Sequence, residues 1–397
     1  MRLAERVQGI SPSPTLAMNT RAQEMRKKGM DVLSFTVGEP DFDTPQAIAQ
    51  AGMQAIEKGF TRYTSATGIV ELRQAICKKL WRDSKLEYTP EQIVVTNGGK
   101  HALFNALQVL VDVGEEVIIP APYWVSYTEM VKMAQGVPVV VDTKEENDFK
   151  LTAEELEAAI TQRTKGLIIN SPSNPTGSVY DEAELAALGE VILKHQLFVI
   201  SDEVYEKLVY DGVKAASIAT LSPELKESTI IVNAMSKTYA MTGWRIGYSA
   251  APQAVSKAMG SFQSHATSNP NSIAQAASLA ALEGDQGTVT QMVAEFERRR
   301  NYVVKALMEI PGVTCRVPVG AFYVFPNVSA YFGREYKGQV ISGSLDLAEL
   351  LLVEAQVALT PGIAFGNDNY VRLSYATSME RIEEGVKRIK DFLSQIE

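Results

Sequence analysis

Thr229-Ile-Ile-Val-Asn-Ala-Met-Ser-Lys-Thr-Tyr-Ala-Met-Thr-Gly-Trp-Arg-Ile-Gly-Tyr-Ser-Ala250 contains two apolar runs, 229–233 and 246–250. Lys237 stands just past the first and Arg245 directly before the second. Short apolar runs bounded by polar residues read as strands buried in a sheet. A lysine most often lies at the surface with its stem over apolar neighbours, so Lys237 gains meaning only from its company. An amine and a half-buried guanidinium at strand ends suit a cofactor bearing an aldehyde and a phosphate. The amine forms a Schiff base, and the guanidinium holds a dianion with two parallel hydrogen bonds.

Working outward, five further runs share this texture: Gln92–Thr96, Glu116–Pro120, Val137–Val141, Gly166–Asn170 and Leu197–Ser201. Amphipathic helical stretches alternate with them, over Gly68–Ser84, Lys100–Val113, Asp181–His195 and Ser272–Leu282. The alternation predicts an α/β fold, a three-layer, mostly parallel sheet whose strands are buried on both faces, over residues 46–290. After that the texture changes. A charged helix over 288–310 leads into short apolar runs at 314–318 and 320–325. A helix over 345–354, a strand pair around 357–359 and 370–374, and a last helix from Met379 follow. This predicts a smaller α+β domain built from residues 1–45 and 291–397.

With 397 residues the chain is long enough for two domains, and its composition is that of a globular protein. A net charge of -9 argues against nucleic acid as a partner. No apolar run is long enough to span a bilayer. The N-terminal arginines and following serines faintly suggest a transit peptide, but Glu5 and the direct run into helical sequence argue against it, leaving the cytoplasm as the expected location. Cys77 and Cys315 do not make a disulfide framework. His101, His195 and His265 are too scattered for a metal centre, so no metal is expected.

Ligands of open α/β sheets bind beyond the carboxyl ends of the strands, so the residues following each run form a candidate site. Thr96-Asn-Gly-Gly-Lys100 opens a helix, and its glycines let amides approach a phosphate at a helix N-terminus. Pro120-Ala-Pro-Tyr-Trp124 offers an indole to stack on a planar ring. Asn170-Ser-Pro-Ser-Asn-Pro-Thr-Gly177 holds Asn174 in a proline-stiffened turn. Asp202, emerging from a buried strand, needs a cation such as a protonated pyridine nitrogen. Tyr205 is placed to bond the ring's phenolic oxygen. Taken singly, each is an ordinary loop, core or turn residue. Together they match the faces, ring nitrogen, phenolic oxygen, phosphate and aldehyde of pyridoxal 5'-phosphate.

On these residues the chain resembles the fold-type I aminotransferases of the aspartate aminotransferase family, and most closely the bacterial class Ib branch. The resemblance spans nearly the whole chain. It is carried by Gly38-Glu-Pro-Asp-Phe-Asp43, Tyr63 with Gly68, Pro122-Tyr-Trp-Val-Ser-Tyr127, the 170–177 turn, Ser201-Asp-Glu-Val-Tyr205, Ser236-Lys-Thr238, Met241-Thr-Gly-Trp-Arg-Ile-Gly-Tyr248, Gly320-Ala-Phe-Tyr323 and Val371-Arg-Leu-Ser-Tyr-Ala376. It implies that Lys237 anchors the cofactor and then carries a proton between substrate and cofactor carbons. Asp202 would keep the ring nitrogen protonated, Asn174 and Tyr205 would bond the phenolic oxygen, and Trp124 would stack on the ring. Arg245, the amides of Gly98, Gly99 and Lys100, Ser236, and Tyr63 from a partner subunit would hold the phosphate. Arg372 would clamp the substrate α-carboxylate, assisted by Asn174 and the backbone of Gly38. The sequence departs from many relatives at Ala234, where they carry a phosphate-binding serine.

The resemblance further implies a homodimer with shared active sites acting on small amino acids and 2-oxo acids. The donor would be aspartate or glutamate, the acceptor 2-oxoglutarate or oxaloacetate. The arginine that the animal-type branch uses for the distal carboxylate is absent from Ala266–Asn271; the resemblance to the class Ib branch, where the lysine of the Gly-Gly-Lys turn does this, implies that role for Lys100, with Asn269 of the neighbour adding a hydrogen bond. The alternatives are the same chemistry on prephenate or an aromatic keto acid, a β-lyase or decarboxylase, and a non-catalytic module with a relict fold.

Overall fold

In the computed structural model, residues 1–10 and 14–397 are described; the serines at 11 and 13, part of the transit-peptide reading, lie outside them. The apolar runs form one seven-stranded sheet of β1 (Ile93–Thr96), β2 (Glu116–Ala121), β3 (Val137–Asp142), β4 (Thr164–Asn170), β5 (Phe198–Asp202), β6 (Thr229–Ala234) and β7 (Gly247–Ala250). Their spatial order is β1-β7-β6-β5-β4-β2-β3. Neighbours from β6 to β3 are parallel, whereas β7 runs antiparallel to both β1 and β6. The reason is local. The twelve residues between β6 and β7, 235–246, hold only the single helical turn Met235–Thr238 and a 3-10 turn, with no helix long enough to cross the sheet and carry the chain back to a parallel start. The reversal sets the start of β7 beside the ends of its neighbours, with Gly247 opposite both Thr96 and Ala234. Arg245 is thereby brought to the sheet end that carries the β1 and β6 loops.

The helices that build the two cores and the site are α1 (Pro14–Lys27), α2 (Gln46–Glu57), α3 (Val70–Ser84), α4 (Gly99–Leu110), α5 (Ser126–Met133), α6 (Glu182–Lys194), α7 (Met235–Thr238), α8 (Gln253–Ala266), α9 (Ser272–Glu283), α10 (Gly287–Met308), α11 (Ser344–Val353) and α12 (Met379–Leu393), beside the short helices Glu5–Gln8, Ala153–Ala159 and Pro223–Ser228. Strand side chains alternate between two helical layers. Val94, Ile168, Ile200, Ile230 and Val232 pack against α4, α5 and α8. On the other face Val95 and Ile231 meet α3 and α9, while Leu167 and Val199 meet α6. Each fully buried aliphatic side chain contributes roughly 1.5–3 kcal/mol, which fixes the register of every central strand. The expectation of burial on both faces fails at β3. It is the sheet edge, with no strand beyond it, and Val137 and Val140 are exposed there.

A second core gathers both ends of the chain: Met18, Ala22, Val32, Leu33 and Phe35 with residues of α10, α11 and α12. On α12, Ile382, Val386, Ile389 and Phe392 recur at helical spacing and are buried along one stripe. The strands here are β8 (Tyr323–Val324), β9 (Thr360–Pro361) and β10 (Val371–Ser374), ordered β9-β10-β8. The strand pair expected between 357–359 and 370–374 divides differently. Leu33–Ser34 pairs with Val357–Ala358, and it is Thr360–Pro361 that pairs with β10. Two short strands were legible as one apolar run because nothing polar separates them. The expected boundary at 290/291 falls inside α10, whose Val289 packs in one core and whose Met292 packs in the other. Among the described residues no helix is long and apolar enough to cross a membrane.

Candidate active site

A cavity of about 390 Å3 opens at the carboxyl end of the sheet, lined by Gly38, Trp124, Asn174, Asp202, Lys237, Arg245 and Arg372 among others. Gly99, Lys100, Tyr205, Ala234 and Ser236 line it too. They arrive from several strand ends and from the second core, so the expected set is brought together with three exceptions, the first being Gly98, which lies behind the cavity wall. Tyr63 is 90% exposed and stands outside the cavity wall, as does Asn269.

Lys237 sits in α7, the single helical turn following β6, and its Nζ donates to the carbonyl of Gly38. Burial lowers its pKa to about 8, with Glu39 opposing, Arg245 and Arg372 adding to the shift, and Asp202 opposing. A neutral amine is thus accessible near neutrality, as a proton carrier requires. Gly38 itself admits no side chain, since a Cβ there would meet the Tyr323 hydroxyl at 2.2 Å.

Asp202 ends β5 and is fully enclosed. Its Oδ2 accepts from the Tyr127 hydroxyl at 2.7 Å and its Oδ1 from the Val204 amide at 3.3 Å. Burial raises its pKa to about 6, partly offset by these two donors and by Lys237 at longer range. Both hydrogen-bond partners are neutral. The carboxylate therefore lacks the close cation that a buried charge calls for.

Arg372 projects from β10 and is 2% exposed. Its Nη1 donates to Asn174 Oδ1 at 2.9 Å and its Nη2 to the Thr36 carbonyl at 2.5 Å. The guanidinium lies 4.6 Å from the Tyr323 ring centroid and 4.9 Å from that of Phe365. Burial lowers its pKa, and its Nε is buried without a hydrogen-bond partner. A fixed, stacked fork with an unmatched donor is suited to a carboxylate. Asn174 is held in turn, its amide donating to Asn170 Oδ1 at 2.8 Å.

The β1–α4 turn is built for a close approach. Gly98 has φ +86°, and a Cβ there would meet Arg245 Nη2 at 2.3 Å. As the N-cap of α4 it leaves the helix without a side-chain cap. One expectation is corrected: the Gly98 amide already donates to the Thr96 carbonyl at 2.9 Å, so the residue shapes the turn and its own donor is spent there. Arg245 is exposed rather than half-buried. It follows a tight turn at φ 57°, and its Nη1 and Nη2 bond the carbonyls of Thr242 and Asn97 at the cavity mouth. Lys100 Nζ lies 4.7 Å from the Trp124 ring centroid, and burial, with Arg245 adding, lowers its pKa. Trp124 is half-buried and meets Tyr127 edge to face at 5.4 Å. Tyr205 and Tyr323 share a hydrogen bond at 2.7 Å.

Four contributors had no role from sequence reasoning: Tyr127, Tyr323, Asn170 and Thr36. Tyr127 was detectable in part, three residues beyond Trp124 in a quoted motif. Thr36 acts through its carbonyl, for which no side-chain signal exists.

This fold and this site define an enzyme of the transaminase kind, and the sequence profile described as aminotransferase class I and II matches residues 30–389. The chain belongs to that family. It is 52% identical to an aspartate aminotransferase of Geobacillus stearothermophilus, over 99% of each chain. It is 46% identical to an aspartate/prephenate aminotransferase of Nitrosomonas europaea, over 99% of this chain and 100% of the relative. Among solved structures, the aspartate aminotransferase from Rhizobium meliloti superposes with a TM-score of 0.97 at 44% identity, covering 100% of both chains.

Proposed function

We propose that the protein is an aspartate aminotransferase that moves an amino group between aspartate and 2-oxoglutarate with pyridoxal 5'-phosphate held on Lys237. The observation that carries this is the convergence of Lys237, Asp202 and the Arg372 fork on one cavity from three different elements. The residues fit the cofactor. The lone buried carboxylate of Asp202 matches a protonated ring nitrogen, and Gly99, Lys100, Ser236 and Arg245 line the same cavity as donors suited to a phosphate. When bound, the group supplies an electron sink for the bond broken at the substrate α-carbon.

The chain's own part follows from the geometry. Arg372 binds the α-carboxylate, and its stacking between Tyr323 and Phe365 fixes the plane of the fork. Trp124 covers one face of the ring. Lys237, poised to be neutral, would carry a proton between the substrate α-carbon and the cofactor carbon across the shared nitrogen. Lys100, beside Trp124, meets the distal carboxylate. The phosphate contacts come from Arg245, Ser236 and the amides of Gly99 and Lys100. We assign residues 46–290 to a cofactor-binding domain and residues 1–45 with 291–397 to a smaller one. Two copies share their sites, and the exposed Tyr63 of each completes the phosphate site of the other. The relative from Nitrosomonas europaea supports a second acceptor, prephenate, on the same chemistry.

Formation of oxaloacetate from aspartate and 2-oxoglutarate, run beside a panel of other 2-oxo acids, tests the reading. Lys100→Ala should lower kcat/KM for aspartate ~30-fold, the loss of one charge-assisted contact of ~2 kcal/mol, while changing that for alanine less than about threefold. Equal losses for both substrates refute the role of Lys100.

A further inference from the structure

The segment that leaves β5, residues 202–211, faces three ways. Asp202 and Tyr205, three residues apart, point into the cavity. Glu203 and Glu206, with the same spacing, point away from it. A turn makes this division, with the Glu206 amide donating to the Glu203 carbonyl at 3.0 Å and the Leu208 amide to the Tyr205 carbonyl at 2.8 Å. Leu208 and Tyr210 then enter the second core, and the segment is closed by Asp211 on Arg300 at 2.6 Å.

The backward face is charged and buried. Lys79 of α3 is 5% exposed and pairs with Glu206 Oε1, with Asp83 one helical turn further at 3.7 Å. Lys207 reaches the same Asp83 at 2.9 Å. Although burial opposes its charge, Glu206, Tyr248 and Asp83 hold the Lys79 ammonium above its usual pKa. Glu203 accepts from the hydroxyls of Ser201 at 2.9 Å and Ser217 at 2.6 Å. A buried ion pair contributes little net stability compared with an apolar pair of the same size, so stability alone does not account for this one. What the pair does provide is direction. A salt bridge across one turn allows far less rotation of that turn than apolar packing does.

We propose that the Lys79–Glu206 pair, backed by Asp83 and Lys207, is a positioning device that fixes the turn carrying Asp202 and Tyr205 and so sets both groups against the cofactor ring. The proposal rests on the cofactor reading above. Its residues touch neither cofactor nor substrate and act only through the turn.

The double variant Lys79→Met with Glu206→Leu replaces the pair by apolar groups and is compared with the parent as full-length protein. Five quantities are read: the thermal midpoint without cofactor, the dissociation constant of pyridoxal 5'-phosphate, the pH at which the bound cofactor's visible band changes, and kcat and KM for aspartate. The expected result is a midpoint near the parent's, a displaced spectral transition, and kcat lower by ~10-fold with KM within about twofold, since a small misplacement of reacting groups costs rate rather than binding. Lys79→Arg retains the pair and should behave as the parent. Should the double variant not fold, Lys207→Gln leaves the buried pair intact and removes one of the cations on Asp83, which keeps Arg82 at 2.8 Å; a smaller change in the same two quantities is then expected. A folded variant, double or Lys207→Gln, with the parent's spectral transition and kcat overturns the proposal. A parent protein that binds no cofactor overturns the reading beneath it instead.

Discussion

Replacing Asp202 with asparagine should stabilise the cofactor-free protein at neutral pH while weakening its hold on the cofactor. Burial raises the Asp202 pKa from 3.8 to about 6. At 1.36 kcal/mol for each tenfold change in proton affinity, the enclosed carboxylate therefore costs ~3 kcal/mol when ionised. The unfolded chain loses this proton near pH 4 and the folded chain near pH 6. Between those values the folded state binds more protons, so stability falls as pH rises and the full cost is present above pH 6. Asparagine keeps the shape and carries no charge, but its single carbonyl accepts from Tyr127 or from the Val204 amide and not from both, so the loss of one hydrogen bond takes back about 1 kcal/mol of the gain. Urea unfolding of the cofactor-free protein at several pH values reads the difference. The gain from Asp202→Asn should be ~2 kcal/mol at pH 7.5 and be lost as pH falls to 4. The dissociation constant of pyridoxal 5'-phosphate should rise by at least ~10-fold, because the ring nitrogen loses its counter-charge. A variant less stable than the parent at pH 7.5, or a gain that does not vary with pH, would refute the reasoning.

Two further substitutions probe the same cavity. Lys237→Met should stabilise the cofactor-free protein at pH 7, because the amine's pKa is lowered to about 8 and the ammonium is held at a cost there. That gain should disappear between about pH 8 and 10.5, where the parent's folded amine is neutral, as thermal midpoints across pH will show. Gly98→Ala places a Cβ 2.3 Å from Arg245 Nη2 at φ +86°. It should weaken pyridoxal 5'-phosphate ~10-fold or more while leaving pyridoxal within about twofold, the phosphate being the part that Arg245 meets. Fluorescence titration with both ligands separates these outcomes.

The sheet and the residues at its strand ends were legible because each lies next to a short apolar run whose direction is set by burial. Lys237, Asp202 and Asn174 follow β6, β5 and β4 in this way, and knowing the strand locates the side chain. Arg372 is less so. It lies in a strand whose partner, Thr360–Pro361, is two residues long and merges in sequence with Val357–Ala358. The antiparallel course of β7 goes with the absence of a crossover helix in the 235–246 link, and that reversal puts Arg245 at the same sheet end as Lys237. The exposure of Arg245 and the engaged amide of Gly98 depend on backbone angles that side-chain identity does not encode. Thr36 is illegible for the same reason, since the bond it accepts is made by its carbonyl. The backward-facing Lys79 and Glu206 lie 127 residues apart and read as solvated helix and loop charges until the fold brings them together.

The most direct test fixes the cofactor to its amine. Borohydride reduction of the protein loaded with pyridoxal 5'-phosphate, followed by peptide mass mapping, should place one pyridoxyl group on Lys237 and none on Lys100 or Lys79. Prior incubation with aspartate should remove the label, because the cofactor then leaves the lysine carrying the amino group. Label on another lysine, or label on Lys237 that aspartate leaves untouched, would contradict the assignment of this chain as an aspartate aminotransferase working through Lys237.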